Sequence, residues 1–352
     1  MAFTAAANWG NLPGGVFSPT IYSKKVQKQF RKKSVVSDIT NSDYFGEIKD
    51  FGDSVKIIKE PEVSIVNYAR GTKLTPQDLL DSDFTLTIDR ARAWIFKVDD
   101  IEVSQSHVNW EEMARDRAAY KLADDYDRDI LGYAGGFEYS DTTGLWTARA
   151  TAVGTKAEST ADSDELLGTH KLTKDEFSSS STGTNSIPVG VQGTYDATPL
   201  QLLNRMSRLL DQQNVDKEDR WVVVDPVFLE LLSDENSKLV NNDYSANQDA
   251  GGQLRNGKIM SGKIRGFTVY ASNNLPVVGS GPDVIATGGS ATNYGVIVAG
   301  HKSAVATAEQ LAKTEKMRSV DFFGDVVRGM HLYGRKILRP QGLIRAIWNV
   351  SR

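Results

Sequence analysis

Residues 109–131 read NWEEMARDRAAYKLADDYDRDIL, and this stretch decides the fold. Asn109 can cap a helix, Glu112 stands three residues on as a capping-box partner, and Gly132, Gly135 and Gly136 predict its end after Leu131. Trp110, Ala114, Ala118, Leu122, Tyr126 and Ile130 recur every fourth residue. A step of four overshoots one turn by about 40°, so the row winds around the helix and meets different neighbours at its two ends. Glu111 with Arg115, Lys121 with Asp125 and Asp124 with Arg128 are opposite charges four apart and predict a solvated flank. The expectation is a long strut, half buried and half wet.

Upstream of this helix the period changes to two. Val55 and Ile57, then Val63 and Ile65, are followed by a Gly, Thr, Pro and Asp-rich stretch from Gly71 to Asp83. Phe84 to Ile88 and Trp94 to Phe96 then return as strands, which predicts one long hairpin with a long tip. Such a tip exceeds what a tight turn needs, and long loops in compact proteins usually serve a function. Within it only Leu74, Leu79 and Leu80 are apolar anchors, beside Arg70 and Lys73, so these residues are expected to serve assembly more than folding. Further upstream, Ser18-Pro19 opens a predicted helix carrying Ile21, Tyr22, Val26 and Phe30 amid Lys24, Lys25, Lys28, Arg31, Lys32 and Lys33. This basic amphipathic segment reads as a solvated surface helix, as one docked on an acidic protein surface through Lys24, Lys25 and Lys28, or as a nucleic-acid or membrane contact. Residues 1–17 are Ala, Gly, Asn and Pro-rich and build no core.

Downstream, Phe137 to Thr194 is rich in Ser, Thr, Gly and Ala and reads as an insertion of loops and weak strands. Thr198-Pro199 starts a helix with an apolar stripe of Leu200, Leu203, Met206, Leu209 and Leu210. Arg220 to Asp225 reads as a buried strand, and Pro226 opens a short helix through Phe228, Leu231 and Leu232. Ser233 to Gly262 is polar and loop-like, then strands are predicted at Gly266 to Ala271 and Tyr294 to Ala299. From Phe322 the tail alternates through Met330, Leu332, Ile337 and Leu338, then Leu343 to Val350, and is expected to pair near the first hairpin.

The chain's 352 residues suffice for two domains. A net charge of −4, from 41 Lys plus Arg against 45 Asp plus Glu, argues against strong global attraction to nucleic acid. The absence of cysteine excludes disulfides, thiol catalysis and cysteine-based metal sites. No apolar run of about 18 residues occurs, so the expectation is a soluble protein without membrane export.

Candidate chemistry is sparse. His107, His170, His301 and His331 lie far apart and form no metal-binding helical pair. Gly252 to Lys258 has phosphate-loop glycine spacing, but Ile259 replaces the required Ser or Thr and no buried strand precedes it. Asp125, Asp127 and Asp129 imitate the start of a calcium loop, but they sit inside the long helix and read as part of its solvated face. No catalytic, cofactor-binding or metal site is expected.

In order of parts the chain resembles the major capsid proteins of tailed bacteriophages, with the α+β shell fold named after phage Hong Kong 97. The resemblance rests on LTIDRARAWIFKVDD at 86–100 leading into the long helix, RWVVVDP at 220–226, GFTVYASNNLP at 266–276, FGD at 323–325 and YGRKILRP at 333–340. It implies an amino-terminal arm (1–44), an extended β-hairpin loop (45–98), a peripheral domain with a spine helix (99–136 and 315–352) and an axial domain (198–314). Residues 137–197 exceed the simple link of that pattern. It also implies hexamers and pentamers around packaged double-stranded DNA, held without sequence-specific contacts, and portal, scaffold and decoration partners. The location implied is the virion, assembled in the host cytoplasm. The same fold serves encapsulin compartments, and a soluble hydrolase with an unseen carboxylate pair is the remaining alternative. An exposed hairpin and an apolar-dotted arm leave strand edges uncovered, a liability that closed assembly removes. Some relatives join subunits by an isopeptide bond at the extended loop. Lys73 stands at such a place, but an exposed lysine, with a pKa of about 10.4, is almost wholly protonated at neutral pH, so a shell without covalent links is expected.

Overall fold

The computed structural model describes residues 31–32, 34–46, 54–59, 63–71, 73–78, 82–101, 110–149, 166–177, 186–191, 195–234, 254–255, 258–259, 263–279, 293–319 and 323–350. The main core is a seven-stranded sheet built around β8 (Arg220–Val224), in which all five residues are buried. β8 lies parallel to β11 (Thr268–Ala271) and antiparallel to β13 (Tyr294–His301), which pairs in turn with β16 (Leu343–Val350). β6 (Lys171–Leu172) and β7 (Ile187–Val189) add parallel to β16, and β12 (Val277–Val278) pairs with β13. Successive side chains alternate between faces, so an unbroken apolar run signals a strand covered on both sides. Val222, Val224, Ile297, Ala299, Ile344 and Trp348 pack on one side, with α3 (Pro199–Gln212) and α4 (Pro226–Ser233). Trp221, Val223, Val296 and Val298 pack on the other.

Local chemistry starts both of those helices. Thr198 and Gln201 form a complete capping box, with Gln201 N–H donating to Thr198 Oγ1 at 3.3 Å and Thr198 N–H to Gln201 Oε1 at 2.9 Å. Asp225 accepts from Val227 N–H at 2.8 Å ahead of Pro226 at the first helical position.

The long helix, α2 (Trp110–Gly135), ends against the second face of this sheet, where Ile130, Leu131, Tyr133 and Ala134 join Val35, Val36 and Ile39 of α1 (Val36–Ile39). It runs past Gly132, one of the predicted stops. A Cβ at Gly132 would lie 2.4 Å from the ring of Trp146, so this glycine serves a close approach and not a helix end. The stop is Gly136, with φ of +76°, the left-handed position that glycine takes at no steric cost. Asn109, the expected cap, lies outside the described residues.

A second, three-stranded sheet stands beside α2, in the order β14 (Val305–Arg318), β15 (Gly324–Ile337), β3 (Arg90–Asp99). Two hairpins complete the described strands: β1 (Ser54–Lys59) with β2 (Ser82–Thr87), and β4 (Phe137–Ser140) with β5 (Leu145–Ala148). Four expectations change. Trp94 to Phe96 is not the returning arm of the hairpin, because β3 pairs with β15 and the hairpin closes at Thr87. Val63 and Ile65 form no strand and are exposed, since no partner strand faces them. Of the tail, β15 does join the region of the first hairpin, but β16 is a central strand of the seven-stranded sheet. Residues 137–197 are more than an insertion, since β6 and β7 extend that same sheet. Leu254–Arg255 pairs antiparallel with Lys258–Ile259 (β9 and β10), a hairpin rather than the strand, loop and helix of a phosphate site.

Candidate assembly surfaces

The hairpin β1–β2 is held to the body at its root. Leu86, fully buried, packs with Ala308, Val55, Ile57, Ile88 and Tyr44. Beyond the root the apolar residues face outward: Ile58 is 81% exposed and Ile65 98%, with Val63, Val66, Tyr68 and Leu74 also exposed. The amide of Gln77 clasps the backbone of Ser64, donating to its carbonyl at 2.7 Å and accepting from its N–H at 3.1 Å. Arg70 and Lys73 are exposed near the turn at Gly71, which has φ of +92°. Leu79 and Leu80 lie outside the described residues, as do Lys24, Lys25 and Lys28. Of the predicted basic helix only Arg31 and Lys32 are described, and neither is helical.

One face of the three-stranded sheet meets α2 and the other is bare. Arg90, Arg92, Trp94 and Phe96 alternate toward the helix side, with Arg92 Nε 2.9 Å from Asp125. Trp94 lies across Gly329 on the neighbouring strand, where a Cβ would come within 2.5 Å of the ring, and stacks on Phe96 at 5.4 Å. The bare face presents Ile95, 70% exposed, with Met330 and Met317. Between them Glu315 accepts hydrogen bonds from Lys313 and Arg328, which hold its carboxyl at about 2. At the end of this sheet Ile101 and Phe323, the latter 82% exposed, leave a further apolar tip.

Helix α2 joins these parts through its acids, which corrects the expected solvated face. Asp127 is fully buried, and its Oδ1 accepts from Ser34 Oγ at 2.9 Å and from the N–H groups of Val35 and Val36 at 2.8 and 3.1 Å. Its Oδ2 accepts from Asn274 Nδ2 at 3.0 Å. Asp124 accepts a second bond from that amide at 2.9 Å. Asp129 accepts from Tyr333 Oη at 3.0 Å and pairs with Arg335 Nη1 at 2.6 Å, in surroundings that push the Tyr333 phenol upward, first by burial and then by the Asp129 charge. Of the three predicted ladder pairs only Glu111 with Arg115 forms. Asp125 turns to Arg92 and Arg128, and Asp124 to Asn274 and Lys32, because charge partners from other segments lie nearer. The predicted apolar row divides: Ala114, Ala118, Leu122 and Tyr126 are half-buried, while Ile130 is fully buried where the helix enters the main core. Sequence reasoning missed the partners Ser34, Asn274, Arg92, Tyr333 and Arg335. The available signal was four aspartates in six residues, 124–129, with only one arginine among them.

The helix's carboxyl end carries no basic residue in its last turn, and other segments supply the charge. Arg345 of β16 donates to the Gly135 carbonyl at 2.8 Å, and burial with the like charge of Arg149 lowers its guanidinium to about 10. The described histidines are dispersed: His170 contacts the Leu343 carbonyl at 3.1 Å, His301 the Ser303 hydroxyl at 2.8 Å and His331 Glu309 at 3.2 Å. His107 lies outside the described residues. Among the described residues no group of acids and histidines could hold a metal ion, and no helix is long and apolar enough to cross a membrane.

The arrangement shows long exposed arms and sheet faces around a rigid joint, and known proteins share it. The chain is similar over 94% of its length to a solved structure from Mycobacterium phage Che8, at 24% identity, 97% coverage of that chain and a TM-score of 0.67. It is similar over 97% to the capsid of cyanophage Pam1, at 12% identity, 99% coverage of that chain and a TM-score of 0.66. Over 96% it is similar to the capsid of Ralstonia phage GP4, at 11% identity, 97% coverage of that chain and a TM-score of 0.64. These likenesses establish the Hong Kong 97-like α+β fold. No curated protein matches by sequence. A family model described as phage capsid protein matches residues 108–346, from the start of α2 into β16. The chain therefore belongs to the phage capsid protein family, whose members are shell subunits and not enzymes.

Proposed function

We propose that this shell subunit assembles into hexamers and pentamers of an icosahedral shell around double-stranded DNA, without sequence-specific contacts to it. The hairpin arm covers a neighbouring subunit. The observation that carries this reading is the arm itself, which displays Ile58, Val63, Ile65, Val66, Tyr68 and Leu74 with no core of its own to bury them. Many such modest contacts add through multivalency into a durable shell. Residues 1–44 act as the amino-terminal arm, 45–98 as the extended loop and 99–136 with the strands of 315–352 as the peripheral domain. Residues 198–314 are the axial domain, and β6, β7 and β16 support extending its sheet with pieces of 137–197 and the tail. Arg70, Lys73, Leu74, Leu79 and Leu80 serve the arm's contacts, and subunits are held without covalent links. Portal, scaffold and decoration proteins complete the particle, which assembles in the host cytoplasm. Negative-stain images of the purified protein should show closed particles or capsomers. Light scattering that finds only a folded 38.6 kDa monomer across salt, pH and concentration overturns the reading. Particles boiled in detergent should run as one band, and a ladder abolished by Lys73→Arg overturns the absence of covalent links.

A further inference from the structure

One stripe of α2 carries Glu112, Asp116, Tyr120, Asp124 and Asp127, spaced by four, four, four and three residues and so aligned along one face. The chain entering from the amino terminus already follows this stripe in order. Arg31 pairs with Asp116 and lies over the Tyr120 ring. The Lys32 N–H donates to Tyr120 Oη at 2.9 Å, and the Lys32 Nζ lies 3.9 Å from Asp124 and 2.6 Å from the Asn274 carbonyl oxygen. Ser34, Val35 and Val36 end on Asp127. Four to five residues of arm thus span the eleven helix positions from Asp116 to Asp127, about 16 Å at 1.5 Å per residue, which is the rise of an extended chain.

We infer that the stripe is a docking track for the chain's own amino-terminal arm, and that it continues upstream with Lys28 meeting Glu112. The two ends of the track agree in charge, cation on the arm and carboxylate on the helix. At the same rise, three residues before Arg31 cover about 10 Å, which places Lys28 over the first turn of α2, and a lysine side chain reaches the remaining distance to Glu112. Lys24 and Lys25 then lie about 20 Å from Arg31, beyond the start of α2, so the arm leaves its own subunit over that end. This divides the three lysines: Lys28 holds the arm to its own helix, and only Lys24 and Lys25 remain for another copy. The inference stands whether or not hexamers and pentamers form.

The cysteine-free chain allows a direct test. The double variant Lys28→Cys with Glu112→Cys, oxidised mildly as unassembled protein, should close one disulfide within a single chain. It should lose both free thiols and run as a monomer without reductant. Arg31→Cys with Asp116→Cys should do the same, and Lys24→Cys with Glu112→Cys should stay reduced. Dimers or higher bands from the first pair would show that the track takes another copy's arm and would overturn the proposal. Failure of the first pair while the second closes would end the track at Arg31, and failure of both would remove it altogether.

Discussion

The seven-stranded sheet and the hairpin arm use strands of similar length to opposite ends. In β8 every residue is buried, and the two faces of its sheet are sealed by helices of the same chain. In β1–β2 the alternation survives, but only Leu86 and a few partners at the root find a core, while Ile58 points to solvent. The first region is stable by itself; the second has paired its backbone but not its side chains. Backbone pairing fixes a shape, and side-chain burial decides who supplies the stability.

The sharpest way to break this contrast is to truncate each region. Trp348→Ala removes a fully buried indole that meets Phe228 edge to face at 5.2 Å, and should cost the isolated subunit about 3–5 kcal/mol in urea unfolding. Ile65→Ala should cost less than about 0.5 kcal/mol by the same measurement yet reduce particle yield. Equal costs would erase the distinction. Asp127→Ala acts at the joint between arm and body, leaving the donors of Ser34, Val35, Val36 and Asn274 without their acceptor, at about 2–3 kcal/mol in the same unfolding assay. Because Lys59 pairs with Ser82, residues 60–81 can be replaced by an Asn-Gly turn. The subunit should stay within about 2 kcal/mol of its parent, the scale of the loop-closure change, while particles disappear from electron micrographs. Normal particles would show that the arm is dispensable.

Acid separates the two regions more gently. Burial holds the imidazoles of His170 and His301 below the ordinary range, opposed at His170 by the Leu343 and Pro340 carbonyls and at His301 first by the Asp219 and Asp216 charges. A base whose folded value is depressed stays neutral in the fold. Its contribution is complete above the unfolded value of about 6.5 and is lost as pH falls below it. Glu315 is the reverse case, an acid lowered to about 2, whose contribution is complete above about 4.3 and is lost only between there and about 2. Hydrogen exchange between pH 7 and 5 should therefore loosen the seven-stranded sheet around β16 and β13 while the β14–β15 ladder keeps its protection. His170→Gln should flatten part of that response; loosening of the Glu315 ladder first would refute it.

What could be read from residues alone follows the range of the forces involved. The α3 capping box, the Asp225 cap and the buried run of β8 are local or periodic signals, and each stands where the pattern placed it. The arm's tip was legible as a region without a core, though the extent of its strands was not. Long-range choices were opaque. Period two marks Trp94 to Phe96 and Leu343 to Val350 as strands but does not name the partner strand, and both went to a different neighbour. The joint on α2 was misread for a related reason. Charge spacing along one helix weighs only partners on that helix, whereas Arg92, Asn274, Tyr333 and Arg335 arrive from other segments. Gly132 misled because a glycine that admits Trp146 looks the same in sequence as one that ends a helix.

The clasp between Gln77 and Ser64 bears on how fast such a subunit can associate. Joining two points 13 residues apart in the arm removes chain configurations before any neighbour is met. Ordering that occurs in the free subunit is not charged again at each encounter, so a larger fraction of collisions presents the apolar side chains in a usable arrangement. An amide side chain acting as a piece of backbone thus turns a flexible search into a docking event, repeated for every copy that enters the shell.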